Sequence, residues 1–160
     1  MLILLDIDGV LVPANSWKKP EFMEDGFTAF SPGCVAALNR ILLETNASIL
    51  LTTSHKAIYQ VAQWKNLLKT RGINAKKLKR LTTDSLKTTR KDEILQWYNN
   101  TRTPNEYFVI IDDDKMLNGL PEYIKSSLVL TSSSVGLTDD LADEAISILQ
   151  KMHINKHKQF

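Results

Sequence analysis

The sequence predicts an α/β protein built on a central parallel sheet. Short apolar runs of strand length recur along the chain, and segments with apolar residues at helical spacing fall between them. Carboxylates or hydroxyls follow the strongest of those runs, where a parallel sheet gathers them at one edge. No internal repeat or low-complexity linker interrupts the alternation across the 160 residues.

The first strand spans about Leu2 to Asp6, in the stretch Met1-Leu2-Ile3-Leu4-Leu5-Asp6-Ile7-Asp8-Gly9-Val10. Residues 11–31 break the rhythm, with Pro13, Pro20, Trp17, Lys18, Lys19, Phe22, Phe27 and Phe30. They read as an irregular or hairpin excursion, either a flap over the strand ends or an ordinary loop packing its own aromatics. Ser31 then caps a helix with Pro32 at its first position and Val35, Leu38, Ile41 and Leu42 on its apolar face. The second strand spans Ala47 to Leu51 and ends at Thr52. Ser54 is expected to cap a second helix carrying Ile58, Val61 and Leu68. A further strand is placed near Ile73 or Leu81, in a lysine-rich stretch. Thr89 caps a third helix with Ile94, Leu95, Trp97 and Tyr98 facing inward. The strong run Tyr107 to Ile111 ends at Asp112, and Leu128 to Leu130 makes a shorter strand. Thr138, Asp139 and Asp140 open the last helix, with acids where the helix dipole favours them and a stripe of Leu141, Ala145, Ile148 and Leu149.

Composition bounds the function. Hydrophobic content of 43% and charged content of 24% are those of a folded, soluble protein of one domain, residues 1–160, with a basic tail at 151–160. The net charge of +2 argues neither for nor against a polyanionic partner. Cys34 is the one cysteine, so an internal disulfide is excluded and a reducing setting is favoured. It reads as a half-buried small residue on a helix. The first apolar run is too short for a membrane span or a signal h-region and is broken by aspartates. These features together predict a cytoplasmic protein with no membrane partner.

The chemistry lies at the strand ends. Asp6 and Asp8 would repel each other if left bare, and a divalent cation is the simplest way to hold them. Thr52, Thr53 and Ser54 follow the second strand, Arg90 and Lys91 open the third helix, and Asp112, Asp113 and Asp114 follow the third core strand. Magnesium prefers oxygen ligands, commonly a few carboxylates with water and phosphate oxygen. An Asp can attack phosphorus, a second carboxyl can protonate the leaving oxygen, hydroxyls and backbone N–H groups hold phosphate oxygens, and a cation offsets the growing charge.

The pattern Asp6-Ile-Asp8-Gly9-Val10, Thr52 after an apolar strand, Arg90/Lys91 opening a helix, and Ile110-Ile111-Asp112-Asp113 resembles the four motifs of the haloacid dehalogenase (HAD) superfamily, in order. The stretches Arg90-Lys-Asp-Glu-Ile-Leu-Gln-Trp, Tyr-Phe-Val-Ile-Ile-Asp-Asp-Asp and Leu-Val-Leu-Thr…Val-Gly-Leu-Thr look like the small HAD domains of "Swiss Army Knife" RNA repair proteins. The resemblance implies a three-layer sandwich with a Rossmann-like core. It implies Asp6 as nucleophile and metal ligand, and Asp8 as general acid/base with its backbone carbonyl on the metal. Thr52 or Thr53 binds the phosphoryl group, and Arg90 or Lys91 is the cationic residue. The resemblance further implies Asp113 as the direct Mg2+ ligand, with Asp112 behind it as its partner. Gly9, Ser54 and His55 join Thr53 as substrate-binding candidates.

The gap from Gly9 to the first helix is about twenty residues, and that from Thr52 to Arg90 is under forty. Neither admits a large cap domain, so the site is expected to be open to a bulky or macromolecular substrate, or to be closed by a second copy of the chain. Between Lys65 and Lys91 stand ten basic residues and one acid, Asp84. That segment either tracks a nucleic-acid backbone or forms a solvated face balanced elsewhere. Trp17, Trp64 and Trp97 either stack on bases or pack in the core or excursion. The leading expectation is a Mg2+-dependent phosphatase acting on a phosphorylated small molecule or nucleic-acid end. The alternatives are a HAD-like protein that processes or binds nucleic-acid ends with little turnover, and a receiver-like phosphoacceptor. The last is disfavoured because the Asp-x-Asp pair comes first and the acidic run late.

Overall fold

A computed structural model describes residues 1–14, 19–82 and 88–157, with side chains as far as Lys151. Among these residues five strands run parallel: β1 (Leu2–Leu5), β2 (Ser48–Leu51), β3 (Leu78–Arg80), β4 (Phe108–Asp112) and β5 (Leu128–Leu130). Their order across the sheet is β3-β2-β1-β4-β5. The helices are α1 (Pro32–Thr45), α2 (Val61–Thr70), α3 (Arg90–Gln96), α4 (Glu122–Lys125) and α5 (Asp139–His157). A π-helical turn at Trp97–Thr101 and a 3-10 turn at Lys115–Gly119 complete the second helical layer.

Near-continuous apolar runs suit strands covered on both faces. Alternate residues project to opposite sides. Ile3, Leu5, Ile49, Leu51, Val109 and Ile111 pack with residues of α1, α2 and α5, among them Leu38, Trp64 and Leu149. Leu4, Leu50, Phe108 and Ile110 pack instead with Ile94, Trp97 and Ile124 on the α3 and α4 side. The layers are helix, sheet, helix, as predicted. Between β1 and α1, and between β2 and α3, the described residues hold no second sheet. No described helix is long and apolar enough to cross a membrane.

Two of the predicted caps bond as expected, and one does not. Thr89 accepts from the Asp92 N–H at 3.2 Å, and Thr138 from Leu141 at 3.2 Å. Ser31 makes no side-chain cap bond, so the fixed φ of Pro32 alone opens α1.

The second helix does not start at Ser54. Residues 54–58 form a turn, and α2 begins at Val61 behind a Gln60–Gln63 capping box. Side chains take carbonyls of the turn and of the residue after it: Trp64 Nε1 donates to Lys56 O at 3.0 Å, and Arg80 Nη1 to Lys56 O at 3.4 Å and to Tyr59 O. Ile58 therefore lies off any helical face and is exposed. The strand expected near Ile73 or Leu81 lies between them, as β3, and Cys34 is fully buried rather than half-buried. Trp64 and Trp97 are core residues, while Trp17, Lys18, Asp84 and Lys87 lie outside the described residues. In the 151–160 tail, α5 continues to His157.

Candidate active site

Strand register builds the site. Leu5 of β1 pairs with Leu51 of β2 and Ile111 of β4, so the next residues, Asp6, Thr52 and Asp112, stand level in one row. Leu4, Leu50 and Ile110 face the α3 side, and the two-residue period sends Asp6, Thr52 and Asp112 to that same side. The first turn of α3 lies there, and Arg90 reaches into the row. Its Nη1 donates to Asp112 Oδ2 at 2.6 Å and lies 3.4 Å from Asp6 Oδ1. Lys91, its neighbour, extends instead beside Gly119. Of the two candidate cations, only Arg90 joins the carboxylates.

Burial makes these charges costly. Asp6 is 5% exposed, while Thr52 and Asp112 are fully enclosed. Removal from water, with Asp112 and Asp113 close by, pushes the Asp6 carboxyl up to about 8, against the pull of Arg90. Burial also raises Asp112, though Arg90 and the Asp114 N–H oppose it. Asp112 is the better compensated: Arg90 holds Oδ2 and the Asp114 N–H donates to Oδ1 at 3.0 Å.

Asp113 completes an acidic trio. Asp6, Asp112 and Asp113 each offer a carboxylate oxygen, and these lie within 4.8 Å of one another. Gly9 makes the approach possible. Its φ is +76°, and a Cβ there would fall 2.0 Å from Asp113 Oδ2. Only glycine leaves that space and tolerates that backbone. Hard oxygen donors gathered with one Arg against three carboxylates suit a divalent cation.

The remaining candidates divide. The Thr52 hydroxyl is buried without a hydrogen-bond partner. Thr53 Oγ1 already accepts from the His55 N–H at 3.3 Å, and Ser54 is exposed. His55 Nε2 is 2.7 Å from Asp8 Oδ2, and the Asp8 side chain is otherwise half exposed.

An open cleft of about 1050 Å³ leads away from Asp8, Gly9 and Asp113. Its far wall is the excursion, including Lys19 and Phe30. The hairpin within that excursion, where Phe22 bridges Thr28, is fastened to the end of α2 by Arg71. The Arg71 guanidinium forks onto Asp25 at 2.6 and 2.9 Å and donates to the carbonyls of Thr28, Phe27 and Leu67.

The basic segment is thereby broken up. Arg71 is a buried fastener, Arg80 binds turn carbonyls, and Arg90 serves the acidic row. Lys65, Lys69, Lys76, Lys77 and Lys79 remain exposed on α2, β3 and the link between them.

Sequence reasoning missed two supports. Thr131, just after β5, donates its hydroxyl to Gly9 O at 2.7 Å and holds the Asp8–Gly9 turn. Its place after a strand, like that of Thr52, was the available signal. Lys56 pairs with Glu93 at 3.0 Å, both largely buried, and ties the Thr52–His55 loop to α3. A pair so distant in sequence carries no local signal.

Fold and site together define a HAD-type α/β domain, with its acidic motifs, threonine and cation on one sheet edge. More narrowly, the family model described as the HAD domain in Swiss Army Knife RNA repair proteins matches residues 2–142, and the chain belongs to that family. Comparison with curated proteins finds no match.

Proposed function

We propose that the protein is a Mg2+-dependent phosphatase that hydrolyses phosphoric monoesters through an aspartyl-phosphate on Asp6. The observation that carries this reading is the row itself. A buried carboxylate, an unpartnered buried hydroxyl and a guanidinium stand side by side at the end of a parallel sheet.

Asp6 Oδ attacks phosphorus as the bond to the leaving oxygen breaks, and Asp8 gives that oxygen a proton. Asp8 then takes a proton from water, whose oxygen attacks the phosphoryl group. The bond to Asp6 breaks, and the carboxylate and inorganic phosphate are released. Thr52, whose buried hydroxyl has no partner among the described residues, donates it to a phosphoryl oxygen. Arg90 keeps Asp112 in place and sets positive charge beside Asp6. Asp6, Asp113 and the Asp8 carbonyl would hold Mg2+, with Asp112 behind them because both its oxygens are engaged. When bound, Mg2+ supplies positive charge that quenches repulsion among the carboxylates and offsets that of the phosphate.

The substrate is a phosphorylated small molecule or a nucleic-acid end, met in the cytoplasm. The open cleft supports a large leaving group. The family's description, RNA repair, favours the nucleic-acid end. A nucleic-acid-binding role with little turnover draws on the exposed lysines alone. Phosphate release from an aryl phosphate with Mg2+ tests the reading: wild type should turn over and Asp6→Asn should not. Inactivity of wild type on aryl phosphates, phosphorylated metabolites and 3′- or 5′-phosphorylated oligonucleotides would reject it. Unimpaired Asp6→Asn would reject Asp6 as nucleophile.

A further inference from the structure

We propose that His55 is a positioning residue for Asp8, braced by Phe27 of the excursion, so that one carboxyl oxygen is tied and the other is left to move the proton. The proposal rests on the phosphatase reading and assigns His55 a part other than substrate contact.

Asp8 lies in a turn past β1, and its side chain is 56% exposed. Such a carboxylate samples several rotamers unless something holds it. Among the described residues its side chain bonds to His55, whose Nε2 lies 2.7 Å from Oδ2. With Nε2 as donor, Oδ2 is engaged and Oδ1 is free to carry the transferring proton.

His55 is itself held from three directions. Its backbone N–H donates to Thr53 Oγ1 at 3.3 Å. The next residue, Lys56, is clamped by Glu93 at 3.0 Å. Its ring meets the Phe27 ring edge-on, with centroids 5.5 Å apart and planes at 87°. Phe27 is only 8% exposed and packs the same way on Trp64 and Tyr59. Arg71 holds the Phe27 carbonyl at 2.9 Å and its neighbour Asp25 through a two-pronged ion pair. A rigid path therefore runs from the end of α2, through the excursion, to the proposed acid/base.

Aim matters most where the leaving oxygen most needs a proton. An activated aryl oxide departs without help, whereas a basic phenoxide does not. The test is kcat/KM at one pH with Mg2+ on 2,4-dinitrophenyl, 4-nitrophenyl and phenyl phosphate, for wild type, His55→Ala, His55→Gln and Phe27→Leu. His55→Ala should lose about tenfold more kcat/KM on phenyl phosphate than on the dinitrophenyl ester. His55→Gln, which keeps an N–H donor, should recover most of that difference. Phe27→Leu should show the same trend, more weakly. A loss of kcat/KM equal across the three esters overturns the proposal. So does His55→Gln behaving like His55→Ala while remaining folded. If wild type hydrolyses none of these esters and no phosphorylated metabolite or 3′- or 5′-phosphorylated oligonucleotide, the phosphatase reading fails first and this one with it. Activity that survives in wild type and disappears in Asp6→Asn separates the two failures.

Discussion

Replacing Asp6 by Asn should stabilise the metal-free protein at neutral pH. In the unfolded chain the carboxyl titrates near 3.8; in the fold, burial beside Asp112 raises it to about 8. Below about pH 4 both states carry the neutral acid, and the substitution gains nothing. As the pH rises from 4 toward 8, the unfolded chain releases its proton while the folded one retains it, so wild type loses stability across that window. At about 1.4 kcal/mol per pH unit the full span sets a ceiling of roughly 6 kcal/mol. The pull of Arg90, 3.4 Å away, is already contained in the value of about 8, and the neighbouring Asp112 carboxyl makes the realised gain smaller than the ceiling. We expect the net gain to be ~2–3 kcal/mol at pH 8, or roughly 5–10 °C in Tm for a chain of this length. Thermal unfolding in EDTA at pH 4 and pH 8 measures it. Magnesium added at about a hundred times its Kd should then raise wild type by ~2.7 kcal/mol and Asp6→Asn by little. If Asn is the less stable residue at pH 8 in EDTA, Asp6 is not the strained charge described. If magnesium stabilises both proteins equally, Asp6 is not part of its site.

Thr52→Val should leave the resting fold unchanged or up to ~1 kcal/mol more stable, because it deletes an unpaired buried hydroxyl at constant shape. The same variant should raise KM for phosphate esters, as steady-state kinetics would show. Gly9→Ala places a methyl 2.0 Å from Asp113 Oδ2 at a φ of +76°, so a loss of activity of about a hundredfold or more and weakened magnesium binding are expected, read by turnover and calorimetry. The hydrogen bond from Arg71 lowers Asp25 to about 2, so their pair stabilises the fold above the ordinary carboxylate range and is lost as the pH falls through about 2. Solvent reaches Asp25, which limits the effect to ~1 kcal/mol, and Asp25→Asn should flatten the acid limb of the unfolding curve between pH 4 and pH 2.

The strands were legible because a sheet covered on both faces demands unbroken apolar runs, and β1, β4 and β5 carry them within a residue of where they were expected. The start of α2 was not. Ser54 looks like a cap, yet Trp64 and Arg80 hold the 54–58 turn by taking carbonyls of the turn and of the residue after it, and both lie beyond that local window. The division of the basic segment was hidden for a similar reason. Charge counted along the chain does not distinguish an arginine buried on Asp25 from one exposed to solvent.

The motifs themselves determined that carboxylates, a threonine and a cation would meet at the ends of parallel strands, since apolar run lengths dictate where each strand stops. Tertiary structure decided which candidates stand beside Asp6. Register brought Thr52 level with Asp6, and the direction of α3 sent Arg90 inward and Lys91 past Gly119. The bond between His55 and Asp8 arose the same way, from two loops that only the folded sheet brings within 2.7 Å. Short-range pattern encodes the period and length of an element. The facing of side chains from different elements depends on packing across the whole sheet, which no local window contains.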